Sequence, residues 1–121
     1  MRDLIYDIGA NNGDDTAFYL QKGFRVVAIE ADPVLSQKLF ERFSDEVSEG
    51  LLVVEAVGVS DKVLSLDFYV NSFSEWSSFQ KASKATTENE HEVIKVPTVP
   101  LSTLVRRHGA FRYLKNQYRG L

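Results

Sequence analysis

The stretch Leu4-Ile-Tyr-Asp-Ile-Gly-Ala-Asn-Asn-Gly-Asp-Asp-Thr16 decides how this chain folds. Leu4, Ile5 and Ile8 make a short apolar run of the kind buried on both faces of a parallel sheet. A turn bearing Gly9 and Gly13 follows. A helix is then expected over residues 15–22, with apolar surface from Ala17, Phe18 and Leu20 and a stop at Gly23. In an open α/β sheet the mouth of the first strand is where a cofactor sits. Downstream, Val26-Val-Ala-Ile-Glu-Ala-Asp-Pro33 is a second apolar strand that ends in a carboxylate. Glu30 lies 17 residues beyond Gly13. That is close to the ~20-residue interval at which an acid meets a ribose hydroxyl in βαβ nucleoside sites.

The turn narrows the choice of ligand. A dinucleotide fingerprint requires glycines at 9, 11 and 14, where this chain has Gly9, Asn11 and Asp14. Asp14 and Asp15 fall at the expected helix start, where a pyrophosphate would otherwise rest on free backbone amides. Two carboxylates there compete for those amides as caps and repel a dianion. A nucleoside without phosphate meets no such repulsion. S-adenosylmethionine is one, with a sulfonium, an amino group, a carboxylate and a ribose. Gly9 and Gly13 let the backbone turn and approach such a ligand closely, and Asn11 tolerates a left-handed conformation. The competing interpretation is a capped strand-to-helix turn with no ligand.

Asp7-Ile-Gly-Ala-Asn-Asn-Gly-Asp-Asp-Thr16, followed by Ala28-Ile-Glu-Ala-Asp-Pro33, resembles the FkbM-type family of S-adenosylmethionine-dependent methyltransferases. The resemblance continues through Glu55-Ala-Val-Gly-Val-Ser-Asp61, Leu66-Asp-Phe-Tyr-Val70 and Val96-Pro-Thr-Val-Pro-Leu101, to about Lys115. It implies an α/β, Rossmann-like class I methyltransferase fold: a mostly parallel sheet with flanking helices and an inserted strand pair. It implies methyl transfer, to oxygen, on a small-molecule or glycan hydroxyl. The cofactor residues it implies are Asp7, Gly9, Ala10, Asn11, Gly13, Thr16, Glu30, Ala31 and Ala56, with Val57 beside them. In that reading Glu30 holds the ribose hydroxyls, and Gly9, Asn11 and Gly13 shape the floor under the methionine moiety. Asp7 orders the turn and faces the sulfonium or amino group, Thr16 bonds the carboxylate end, and Ala56 and Val57 line the adenine. Trp76 and Ser78 fall on the substrate side. No residue stands out as a general base.

The rest of the chain agrees with an α/β domain. Asp32-Pro33 is a helix start, with a cap followed by proline at the first position. Leu35, Leu39, Phe40 and Phe43 recur at helical spacing and are expected to pack on the sheet. Residues 44–50 are polar and acidic and read as loop. Strands are expected over 50–57, 63–70 and 92–99, with a long irregular connection including residues 81–90. A helix over 100–108 stops at Gly109, and a further strand begins at Phe111.

The chain has 121 residues, so a single domain is the default. It contains no cysteine, which excludes disulfides, thiolate metal sites and a thiol nucleophile. His91 and His108 have no second histidine at helical ligand spacing, so no metal site is expected and both read as polar surface. No apolar run approaches the ~20 residues of a membrane span, and the early first strand leaves no room for a signal peptide. A cytoplasmic location is expected, with neither nucleic acid nor membrane as partner. The net charge of −3 hides an asymmetry. Residues 1–101 hold all 17 acids and nine Lys/Arg, for −8, while residues 102–121 hold five Lys/Arg and no acid, for +5. Such a basic end can meet anionic partners or form a solvated face.

The chain departs from the family at its end. Where an acidic pair is expected after Tyr113-Leu-Lys115 it has Gln117 and Arg119, and Ser102 stands where the family commonly has aspartate. The chain therefore reads as an incomplete domain over residues 1–121, with the cofactor half present and the C-terminal half missing. The open strand edge would favour a homodimer or a partner chain. Two alternatives follow. One is a non-catalytic cofactor-binding or interaction module, a relic or fragment of such an enzyme. The other is a nucleotide-dependent oxidoreductase half-domain, which Asp14 argues against.

Overall fold

The computed structural model describes residues 2–60, 64–71 and 91–117, without side chains for 64–71 and 91–94. Expectations placed on Asp61, Val63, Trp76, Ser78, residues 81–90 and Arg119 lie outside the described residues.

The chain runs β1 (Leu4–Ile8), α1 (Asp14–Gln21), β2 (Arg25–Ile29), α2 (Pro33–Arg42), α3 (Ser44–Ser48), β3 (Leu52–Glu55), β4 (Gly58–Val59), β5 (Leu64–Asn71), β6 (His91–Val99), α4 (Leu101–His108) and β7 (Tyr113–Asn116). Four strands form one sheet in the order β3-β2-β1-β7, and every pairing in it is parallel. The expected inserted pair exists as β5 and β6, antiparallel from Leu64↔Thr98 to Asn71↔His91. A two-residue strand, β4, adds to β6 in parallel and makes this second sheet three-stranded.

Side chains alternate across a strand, so β2 feeds two cores. Leu4, Tyr6 and Ile8 join Val27, Ile29 and Leu104 on the α4 face. Val26, Ala28 and Leu52 join Leu39 and Phe43 on the opposite face, with Ala17, Leu20 and Val47 packed alongside. Burying each of the large aliphatic side chains contributes about 1.5–3 kcal/mol before entropy is counted. On the α4 face the buried Tyr6 hydroxyl shares its proton between the carbonyls of Leu104 (3.0 Å) and Gly109 (2.6 Å), tying the end of α4 to β1. Burial, and then the charge of Glu55, push that hydroxyl's pKa up, so it stays a donor.

Three local expectations are corrected. Residues 44–50 contain the helix α3 rather than a continuous loop. Asp45 and Glu46 suit its first turn, and Val47 gains core packing from it. Phe40 is 49% exposed. At ~100° per residue, Leu35, Leu39, Phe43 and Ser36 span about 100° of α2, and Phe40 falls about 40° beyond that stripe. Phe18 is 54% exposed and lies edge-on to Tyr19 with the Lys22 ammonium over its ring. The position α1 fully buries is Thr16.

The sheet order places the site. From β1 the chain steps outward through β2 to β3, with α1 and α2 on one face. It then returns past α4 on the other face to put β7 on the far side of β1. The strand order reverses between β1 and β7. In open α/β sheets that reversal opens a crevice at the carboxyl ends of the strands. Among the described residues no helix is long and apolar enough to cross a membrane.

Candidate functional site

All nine expected cofactor residues gather around one end of the sheet. Gly9 to Gly13 leave β1, Glu30 and Ala31 leave β2, and Ala56 leaves β3. The three strands are parallel, so these segments share the carboxyl end. Asp7 is the penultimate residue of β1, and Thr16 faces it from α1.

Glu30 holds the turn together. It is 3% exposed. One carboxylate oxygen accepts the Asn11 amide and the other the Asp32 amide, each at 2.8 Å. Asn11 takes φ 59° in this turn, which its short polar side chain tolerates. Asp32 caps α2 as expected, accepting from the amides of Val34 (2.9 Å) and Leu35 (3.3 Å), with Pro33 at the first helical position. The backbone of Ala31, buried between Glu30 and Asp32, is thereby fixed.

Gly13 has a packing role. A Cβ there would stand 2.7 Å from Leu39 Cδ2 and 2.7 Å from Phe43 Cε2, at φ +92°. The space left by the missing side chain is taken by α2, so here the close approach is between elements of the chain itself. Ala10 is buried in the same core, and Ala56 is exposed at the rim.

Asp14 and Asp15 do not cap α1. Its cap residue, Gly13, makes no side-chain cap bond, and the Asn12 side chain accepts the Asp14 amide at 3.1 Å. Asp14 instead pairs with Arg42 of α2 at 3.1 Å, and Arg42 also donates to the Asn12 carbonyl at 2.8 Å. Asp15 pairs with Lys115 of β7. Both carboxylates are thus countered by cations, and the case against a pyrophosphate rests on Asn11 and Asp14 standing where the fingerprint needs glycine.

Asp7 is fully buried. The Thr16 hydroxyl donates to its Oδ2 at 2.8 Å, while Oδ1 has no hydrogen-bond partner among the described residues. Burial raises the Asp7 carboxyl above its ordinary pKa, and the Thr16 bond and the Lys115 charge pull the other way. Lys115 is the register partner of Asp7 on the neighbouring strand. Hydrogen bonding assigns the Gln117 amide: its nitrogen donates to the Gly9 carbonyl (2.8 Å) and its oxygen accepts from Lys115 Nζ (2.7 Å). The reverse orientation offers only a 3.4 Å contact to Asp15. Ala10, Asn11, Asn12, Asp14, Asp15 and Gln117 line a cavity of about 270 Å³ at this point. That is just below the ~300–1,000 Å³ of typical small-molecule pockets, room for part of a nucleoside-sized ligand.

Arg42, Lys115 and Gln117 complete the site; Gln117 stands where the resemblance expects an acid, and no local spacing points to Arg42 or Lys115. Nothing in the sequence alone puts α2 against the turn or Lys115 beside Asp7. On the other face, His108 is a correction: it is not free polar surface. Its Nε2 meets Glu55 Oε2, which also accepts from Arg107 at 2.8 Å. Burial opposes ionisation of Glu55, but the bonds from His108 and Arg107 outweigh it and hold the carboxyl below its ordinary value. Several of the basic C-terminal side chains are paired with acids of the same chain, since Arg112 also meets Asp3 at 3.6 Å on the surface.

A parallel sheet that reverses order beside a glycine-bearing turn, with helices on both faces, defines a Rossmann-like α/β domain. The family model of the methyltransferase FkbM domain matches residues 7–115, and the chain belongs to that methyltransferase family. Comparison with curated proteins and with solved structures finds no match.

Proposed function

We propose that this domain binds S-adenosylmethionine at the β1–α1 turn and directs its methyl group to a hydroxyl of a small molecule or glycan. The observation that carries the reading is Glu30. A buried carboxylate is held by two backbone amides at the end of β2, beside the turn that follows β1. Each carboxylate oxygen can accept more than one hydrogen bond, so the same group serves the turn and a ribose diol together.

The residues fit such a donor. Asp7 Oδ1 is a buried acceptor without a partner among the described residues, and an ammonium or sulfonium is the kind of group that would satisfy it. When bound, the donor supplies a methyl on a sulfonium, open to in-line displacement by an acceptor oxygen. The chain's own contribution is positioning, the source of much of the rate in reactions of this kind. Glu30 and Arg42 hold the turn rigid from two sides, through the Asn11 amide and the Asn12 carbonyl. Thr16 orients the Asp7 carboxylate.

Titration calorimetry of the chain with S-adenosylhomocysteine tests the reading. The wild type is expected to bind, and Glu30→Gln to remain folded with a lowered melting temperature, since its amide nitrogen cannot accept one of the two backbone amides, and to lose about tenfold or more in affinity. Equal affinity in the two proteins would sink the assignment of Glu30. A second reading, a cofactor-binding module without turnover, is favoured by Gln117. Its amide is committed to Gly9 and Lys115 at the position where the resemblance expects an acid. Binding without methyl transfer to any hydroxyl acceptor tried would support it.

A further inference from the structure

Three elements converge on one ammonium at the strand-order reversal. Lys115 of β7 stands beside Asp7 of β1 in register, ion-pairs with Asp15 of α1, and donates to the Gln117 oxygen at 2.7 Å. Gln117 in turn holds the Gly9 carbonyl at 2.8 Å, and both Asp15 and Gln117 line the cavity at the turn. A cation tethered to two groups of the cavity lining, Asp15 and Gln117, therefore stands beside the crevice. Two of those carboxylates, Asp7 and Asp15, share the single charge of Lys115. The other anion of the turn, Asp14, is matched separately by Arg42.

We propose that Lys115 sets the charge selectivity of the site, weakening its hold on the cationic methyl donor relative to the neutral product. The inference rests on the donor reading above. S-adenosylmethionine carries a sulfonium, an ammonium and a carboxylate, for a net charge of +1. S-adenosylhomocysteine lacks the sulfonium charge and is neutral overall. The two otherwise present the same adenosine and amino-acid groups, so their affinity ratio reports the field at the reacting sulfur. A fixed ammonium beside the crevice raises the energy of the sulfonium and leaves the thioether nearly untouched. With Gln117 rather than a further acid as its other partner, that ammonium offsets Asp7 and Asp15, and removing it would leave both carboxylates to favour a cation.

The test is calorimetry with both ligands at pH 7 on the wild type and on Lys115→Met, Lys115→Arg and Asp15→Asn. The quantity read is the ratio of the two dissociation constants, donor over product. It is expected to fall about tenfold or more in Lys115→Met, tenfold being the effect of one unit charge ~12 Å away at an effective dielectric of about 20. It should stay within about twofold of wild type in Lys115→Arg, and rise in Asp15→Asn, which removes a negative charge and frees the ammonium. An unmoved ratio in Lys115→Met, or the same shift in Lys115→Arg, overturns the inference alone. A folded wild type that binds neither ligand overturns the donor reading and this inference with it. Asp15 has a half-exposed side chain, so Asp15→Asn decides the matter if Lys115→Met does not fold, and a ratio that fails to rise there counts against the proposal.

Discussion

Gly13→Ala asks whether the glycine of the turn serves a ligand or the fold. The added methyl would meet Leu39 and Phe43 at 2.7 Å each, well inside normal contact, on backbone at φ +92°. The left-handed backbone costs an alanine about 1–2 kcal/mol. Forcing a methyl into a packed core costs about 1–3 kcal/mol more. Reduced freedom of the unfolded chain returns about 0.4–1 kcal/mol. The expected net loss is roughly 2–4 kcal/mol, a large share of the ~5–15 kcal/mol that holds a typical domain. Urea unfolding followed by circular dichroism reads it directly. Gly50→Ala is the matched control: its φ is +76° but nothing lies within 4 Å of the new methyl, so it carries the backbone cost alone. The two variants should therefore differ by about 1–3 kcal/mol, the steric part. Leu39→Ala should partly relieve Gly13→Ala, with a favourable coupling of about 1 kcal/mol in a double-mutant cycle. Gly13→Ala no more destabilising than Gly50→Ala would refute the packing argument and return Gly13 to a purely ligand-facing role.

Tyr6→Phe leaves the carbonyls of Leu104 and Gly109 without their buried donor. It should cost about 1–3 kcal/mol in urea unfolding and speed amide exchange at the end of α4; a loss under about 0.5 kcal/mol would show the hydroxyl to be dispensable. Glu55→Gln should cost about 1–2 kcal/mol at neutral pH through weakened bonds to Arg107 and His108. Its pH dependence has a definite sign. The folded pKa of Glu55 is depressed below 4.5, so the native chain holds fewer protons there. The stabilisation is present above that value and lost as pH falls through the folded pKa. Asp7, whose pKa is raised above 3.8, acts with the opposite sign in both proteins, its contribution falling as pH rises through that window. Urea midpoints from pH 3 to 7 should therefore drop more steeply on the acid side in wild type than in Glu55→Gln, and parallel profiles would contradict the Glu55 assignment.

Much of the fold is legible in the sequence because its signals are local. The apolar run at β1, the Asp32-Pro33 start of α2 and the Gly109 stop of α4 are each decided by backbone chemistry within a few residues. The segments that local patterns misassign are those settled by neighbours far along the chain. Phe40 and Phe18 are apolar residues on helices that have no further core to offer them. Residues 44–48 are helical where Val47 finds the α2 side of the core. His108 looks isolated in the sequence because its partner, Glu55, lies 53 residues away.

The candidate site divides in the same way. The sequence by itself determined the turn, the acid that follows β2 and the family, because those depend on residue identity at short spacing: Gly9, Asn11 and Gly13 for the backbone path, Glu30 at the right interval. Only the tertiary structure decided what each group is bonded to. Parallel pairing of β1 with β7 brings Lys115 to Asp7 across more than a hundred residues of chain. Packing of α2 on the turn brings Arg42 to Asn12 and fills the space at Gly13. Strand pairing and helix packing are set by which surfaces can be buried together, a property of the whole chain that no local spacing encodes.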